Sequence, residues 1–133
     1  MNRGDALIYT TYFAKLKYLP SNVTPIAICG KTPDFYQGLC YKKLAPKWSF
    51  FTKWKETRDN NYYISEFNRL VLEPLDVNTV VNDLVSMSTT EHIALVCYEK
   101  PQDFCHRHLI AKWLNENGYD CDEFNFNTLK AST

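Results

Sequence analysis

The apolar positions of the chain fall into short unbroken runs and longer stretches with helical spacing. Residues Ala6 to Thr11 (ALIYTT) combine β-branched and aromatic side chains between polar flanks, which predicts a strand. Pro25 to Cys29 (PIAIC) is continuously apolar, as suits a strand buried on both faces, and Gly30-Lys31-Thr32-Pro33 breaks it. Ile93 to Cys97 (IALVC) is the third such run and the clearest. Asp122 to Phe126 (DEFNF) alternates and predicts an edge strand. Helical periodicity fills the intervals. Tyr63, Phe67, Leu70 and Val71 place a helix over Asn60 to Leu72, with Pro74 ending it. Asp76 is a cap for Val77 to Met87, where Val77, Val80, Val81, Leu84 and Val85 repeat at three and four. A last helix begins at or near Asp103, buries Leu109, Ile110, Trp113 and Leu114, and stops at Gly118. Trp48 to Trp54 reads as a further short helix.

Strands separated by helical connections predict an α/β fold: one compact three-layer domain over residues 1–133, with a mostly parallel, Rossmann-like sheet. In such sheets ligands sit beyond the carboxyl ends of the strands. Those ends carry Thr10, Thr11, Tyr12 and Lys15; then Cys29, Gly30 and Lys31; then Cys97, Tyr98 and Glu99. Parallel strands would bring these groups to one rim.

Composition narrows the function classes. The chain has 133 residues, 45% hydrophobic and 23% charged, which is an ordinary globular mixture rather than a disordered one. Fifteen basic residues balance fifteen acidic ones, so the surface as a whole is no nucleic-acid footprint, although a local basic patch remains open. No apolar run approaches the ~20 residues that span a bilayer, and the start lacks the apolar stretch of a secretory signal. The five cysteines are odd in number and form no CxxC pair. That points to free thiols in a reducing cytoplasm rather than a stapled secreted domain. The expected partner is a small anionic ligand; no membrane partner is expected, and oligomeric state is not set by the sequence.

Chemistry concentrates between the third strand and the last helix. Cys97-Tyr98-Glu99 and Cys105-His106-Arg107 lie within eleven residues. Three readings stand side by side. Arg107, Lys31 and the helix N-terminus would hold a phosphate or carboxylate. A helix N-terminus with His106 and Arg107 beside it would activate Cys105 as a nucleophile. Cys97, Cys105 and His106 are also ligands that zinc or iron accepts, although no cofactor is required by the sequence. Against all three stands a purely structural role, with Arg107 paired to a carboxylate such as Glu99. A second feature is KKLAPKWSFFTKWKETR, residues Lys42 to Arg58, which interleaves cations with Trp48, Phe50, Phe51 and Trp54. It suits a nucleic-acid strand, with cations on phosphates and rings on bases. It suits better an amphipathic helix with Trp48, Phe51 and Trp54 inward and Lys53, Lys55 and Arg58 outward.

These residues resemble the domain-of-unknown-function 488 family, which includes the YeaO-like proteins. The resemblance rests on Leu95-Val96-Cys97-Tyr98-Glu99 and Cys105-His106-Arg107-His108-Leu109, with Lys43-Leu44-Ala45-Pro46, Trp54, Tyr63, Phe67, Leu70 and Leu75-Asp76 in the middle. It implies a compact three-layer α/β domain and carries Cys97, Glu99, Cys105, His106 and Arg107 as a candidate site, without implying a reaction. Many relatives end the second strand in Asp-x-Arg; here the stretch is Ile28-Cys29-Gly30-Lys31, so Lys31 stands in for the arginine.

Two functions follow. The first is a small cytoplasmic enzyme acting on a nucleotide-like anion. Cys105 or Cys97 would be the reactive group, and His106 or Glu99 would handle protons. Arg107, Lys31, Thr10, Tyr12 and Tyr98 would bind. The second is a non-catalytic module that binds nucleic acid or nucleotide through residues 42–58, or metal through its cysteines and histidine.

Overall fold

The computed structural model describes residues 7–99 and 104–126. Five strands form one sheet: β1 (Ile8–Tyr12), β2 (Val23–Ala27), β3 (Leu39–Cys40), β4 (His92–Cys97) and β5 (Cys121–Glu123). Their order is β3-β2-β4-β1-β5, and every neighbouring pair is parallel. The α/β, parallel-sheet reading therefore holds. Ala6, expected to open the first strand, lies outside the described residues. β2 starts two residues earlier than the PIAIC run, with Pro25 at its centre opposite Ala94. Proline is tolerated there because β3 pairs only with Ile26 and Ala27, so at Pro25 one side of β2 has no ladder to lose. β3 itself is too short to leave a periodic signal.

Four helices follow the expected positions: α1 (Trp48–Thr57), α2 (Asn60–Phe67), α3 (Val77–Met87) and α4 (His106–Glu116). The expected Asn60 to Leu72 helix is α2 continued by a π turn over Asn68–Leu72. Asp76 caps α3 by accepting from the Thr79 backbone N–H at 2.9 Å. Asp103 lies outside the described residues; α4 begins at His106, with Cys105 extended in the capping position. Gly118, at φ 88°, supplies the left-handed turn that releases the chain toward β5.

Alternation along the strands sends Ile26, Ile28, Ile93, Leu95 and Cys97 to the face covered by the helices, against Phe50, Phe67, Leu84, Ile110 and Leu114. Ala27, Cys29 and Val96 face the other way, onto Phe13 of the 3₁₀ turn Phe13–Tyr18. Among the described residues the outer layers are thus unequal, with α1 to α4 on one side and the 3₁₀ turn Phe13–Tyr18 on the other. α1 departs from the expected orientation. Phe50 is its core residue and Trp48 is 74% exposed, because Phe50 meets Tyr63 edge-to-face at 5.3 Å and fixes the rotation of the helix.

Connections leave β2 toward β3 on one side and β4 toward β5 on the other. The crevice beyond the ends of β2 and β4 is therefore the switch point where open α/β sheets take ligands. Among the described residues no helix is long and apolar enough to cross a membrane.

Candidate functional site

β4 ends at Cys97, and its side chain points to the helical face at the switch point. α4 starts opposite, bringing Cys105 and His106 to the same place. The Cys97 and Cys105 sulfurs are in direct contact, with their Cα atoms 7.7 Å apart. The expectation of five free thiols is corrected by this pair; Cys29, Cys40 and Cys121 are free. His106 is buried against the Phe67 ring at 5.6 Å. Its Nε2 lies 2.6 Å from the Ile28 carbonyl oxygen, an acceptor, so Nε2 carries the proton and donates. Nδ1 is left with its lone pair facing the Cys105 Sγ at 3.8 Å. Burial pushes the His106 pKa down to about 4, against the pull of the Ile28 hydrogen bond. The ring is therefore neutral at neutral pH.

Arg107 is wholly buried. Its Nε and Nη2 donate to the two carboxylate oxygens of Glu123 at 3.0 and 3.1 Å. Its Nη1 donates to Cys97 Sγ at 3.1 Å and to the Glu99 carbonyl. The guanidinium also lies over the Tyr12 ring, and the Thr10 hydroxyl donates to Glu123 at 2.7 Å. Arg107, Thr10 and Tyr12, expected to contact an anion at the rim, thus form a packed support behind the two sulfurs. The reason is electrostatic. A guanidinium taken out of water needs a carboxylate partner, and β5 places Glu123 beside it in register with Thr10. The anticipated carboxylate partner, Glu99, contributes its backbone carbonyl instead.

In front of the sulfurs opens a cavity of about 620 Å³. Cys97, Cys105 and His106 form its floor. Trp48, Phe51, Trp54 and Phe104 supply aromatic walls, and Trp54 meets Phe104 at 5.6 Å. Lys31, Lys55 and Arg58 bring positive charge to the lining, against the carboxylate of Glu99. Arg58 has φ 56°, a left-handed conformation uncommon for arginine, and its guanidinium lies 4.6 Å over the Trp54 ring. Lys53 is directed elsewhere, over Tyr62. The Tyr98 hydroxyl donates to the Lys31 carbonyl at 2.7 Å and ties the two strand-end loops together. A Cβ at Gly30 would meet nothing within 4 Å, so Gly30 is open space on the lining rather than a packing demand.

The basic-aromatic segment and the Cys-His-Arg segment, read as separate features of the sequence, therefore face one cavity. A family model, DUF488-N3a (active DUF488-N3 subclade), matches residues 17–118, well over half of the chain and the whole of the cavity lining. The chain belongs to the DUF488-N3a family. No curated protein and no solved structure matches it. In this DUF488-N3a chain the expected site residues Cys97, Glu99, Cys105, His106, Lys31 and Tyr98 all line the cavity. Sequence reasoning missed Phe104, the Ile28 carbonyl and Glu123. The last two had no readable signal: one is a backbone atom, and the other sits sixteen residues from its partner, on β5 rather than on α4.

Proposed function

We propose that this DUF488-N3a protein is a small cytoplasmic enzyme acting on an anionic, nucleotide-like ligand, with the Cys97–Cys105–His106 floor as its reactive centre. The observation that carries this reading is a single cavity joining aromatic walls, cations and cysteine sulfurs. Its volume lies within the range of roughly 300–1,000 Å³ usual for small-molecule sites. A base stacked on Trp48, Phe51 or Trp54 would gain about 1–3 kcal/mol. Lys31, Lys55 and Arg58 would hold its phosphate, in an environment where the apolar walls strengthen charge-assisted hydrogen bonds. Arg107, donating to Cys97 Sγ, holds that sulfur at the cavity floor and acts as its positioning residue. His106 is neutral with Nε2 engaged, so proton transfer falls to Glu99, the carboxylate among the described lining residues.

Isothermal titration calorimetry with a panel of nucleoside mono-, di- and triphosphates tests the reading. At least one nucleotide should bind saturably. The Lys55→Ala/Arg58→Ala double variant should lose about tenfold or more in affinity. Absence of binding by every member of the panel contradicts the proposal. A second reading, a module holding a single nucleic-acid strand, is favoured by the 74% exposure of Trp48 at the rim. It predicts a steep fall of oligonucleotide affinity with salt; a flat dependence eliminates it.

A further inference from the structure

The two sulfurs, in contact with each other, and the histidine nitrogen at the cavity floor make up a donor set once the sulfurs are reduced to thiols. Cys97 Sγ, Cys105 Sγ and a His106 ring nitrogen all lie within 4.8 Å of one another, and all three residues are buried. The nitrogen aimed at the sulfurs is Nδ1, the one with the free lone pair, because Nε2–H is spent on the Ile28 carbonyl. A histidine whose second nitrogen donates to a backbone carbonyl is oriented as metal-bound histidines are. The Nδ1 to Cys105 Sγ separation of 3.8 Å is close to the edge of a tetrahedron built on zinc–sulfur and zinc–nitrogen bonds, roughly 3.5–3.8 Å. The Cα atoms of Cys97 and Cys105 stand 7.7 Å apart, wider than the usual disulfide span of roughly 4.4–6.8 Å. Their backbones are thus set to aim two thiols at a common point. Arg107 Nη1–H donates to Cys97 Sγ, a contact that offsets negative charge on a coordinating thiolate.

We infer that the reduced protein binds one zinc-class divalent cation through Cys97 Sγ, Cys105 Sγ and His106 Nδ1, with its fourth position opening into the cavity. Thiolate and imidazole donors in tetrahedral arrangement select zinc among the common divalent ions. All three donor residues line the cavity. A fourth position opening into it matches the arrangement of catalytic rather than structural zinc sites. Binding is a balanced exchange: the cation displaces one proton from each thiol, and both protons pass to the buffer. A phosphine reductant keeps the sulfurs available. It breaks any sulfur–sulfur bond by taking oxygen from water as it becomes the phosphine oxide, leaving two thiols. The inference stands on the donor geometry and does not require that the cavity take a nucleotide.

The test is zinc content and cobalt spectroscopy on the untagged full chain, purified without chelator in a phosphine reductant. Zinc should approach one ion per chain. Cobalt(II) substituted for it should show thiolate-to-metal charge transfer and the intense visible bands of a tetrahedral site. Cys97→Ser and Cys105→Ser should reduce zinc to trace levels, while Cys40→Ser retains it. Should the serine variants fail to fold, the cobalt spectrum of the wild-type chain decides alone. The inference is overturned by wild-type protein that neither carries zinc nor takes it up on titration. It is equally overturned by a cobalt complex without thiolate charge transfer, or by a Cys97–Cys105 bond that persists in the reductant.

Discussion

At the scale of single residues, the site depends on a charge that never meets solvent. Arg107 is wholly buried and its charge is met by the two oxygens of Glu123. Removing one partner of such a pair strands the other, at a cost of about 3–5 kcal/mol. Arg107→Ala should lose that much in urea unfolding and should also loosen Cys97. A loss of about 1 kcal/mol or less, typical of exposed pairs, would show that Arg107 is not the support described. The remaining cysteines differ in reactivity for the same reason of burial. Desolvation pushes Cys29 up to about 11 and Cys121 up to about 12. Iodoacetamide at pH 8 should therefore label the half-buried Cys40 well before Cys29 or Cys121, as read by peptide mass mapping. The linkage to stability has a definite sign. Cys121 is neutral in the fold at a pH where the unfolded thiol ionises. Its contribution is full below the ordinary value of 9.0 and is lost as pH rises toward 12. Cys121→Ala should flatten that alkaline decline. At this scale the sequence singled out Cys97, Glu99, Cys105 and His106, which the structure gathers on one cavity. It did not show that the carboxylate partner of Arg107 is Glu123, because that pairing depends on β5 lying beside β1.

At the scale of elements, α1 is the most informative. Its ten residues present two different apolar surfaces: Phe50 enters the core beside Tyr63 and Phe67, whereas Trp48, Phe51 and Trp54 turn to the cavity. Phe50→Ala should cost about 3–5 kcal/mol of stability. Trp48→Ala should change stability by about 0.5 kcal/mol or less while weakening ligand binding. Equal destabilisation by both would contradict this orientation. Legibility followed the same physics. α3 was readable from cap to last valine because one apolar stripe and one carboxylate determine it. The strands β1 and β4 were readable from β-branched and apolar runs, whereas β5 (Cys121–Glu123) shares only Asp122 and Glu123 with the run expected over Asp122 to Phe126. α1 was readable as a helix but not in rotation, since rings at four of its seven leading positions offer more than one inward face. β3, two residues long, carries no period at all.

At the scale of the whole molecule, the parallel sheet gathers separate stretches of chain into one place. Connections that diverge from β2 and β4 leave a crevice at their carboxyl ends. Lys31 and Gly30 reach it from one strand, Cys97 to Glu99 from the other, and α1 and α4 close it with rings, cations and the second sulfur. The central claim is that this cavity is the ligand site. The chain has three tryptophans, of which Trp48 and Trp54 line the cavity and Trp113 lies on α4 away from it. Titrating the nitrogen-15-labelled protein with nucleoside monophosphates and following the three indole N–H resonances tests the claim most directly. Saturable shifts of Trp48 and Trp54, with Trp113 unmoved, are the predicted result. Indoles that all stay still, or a shift confined to Trp113, would contradict it.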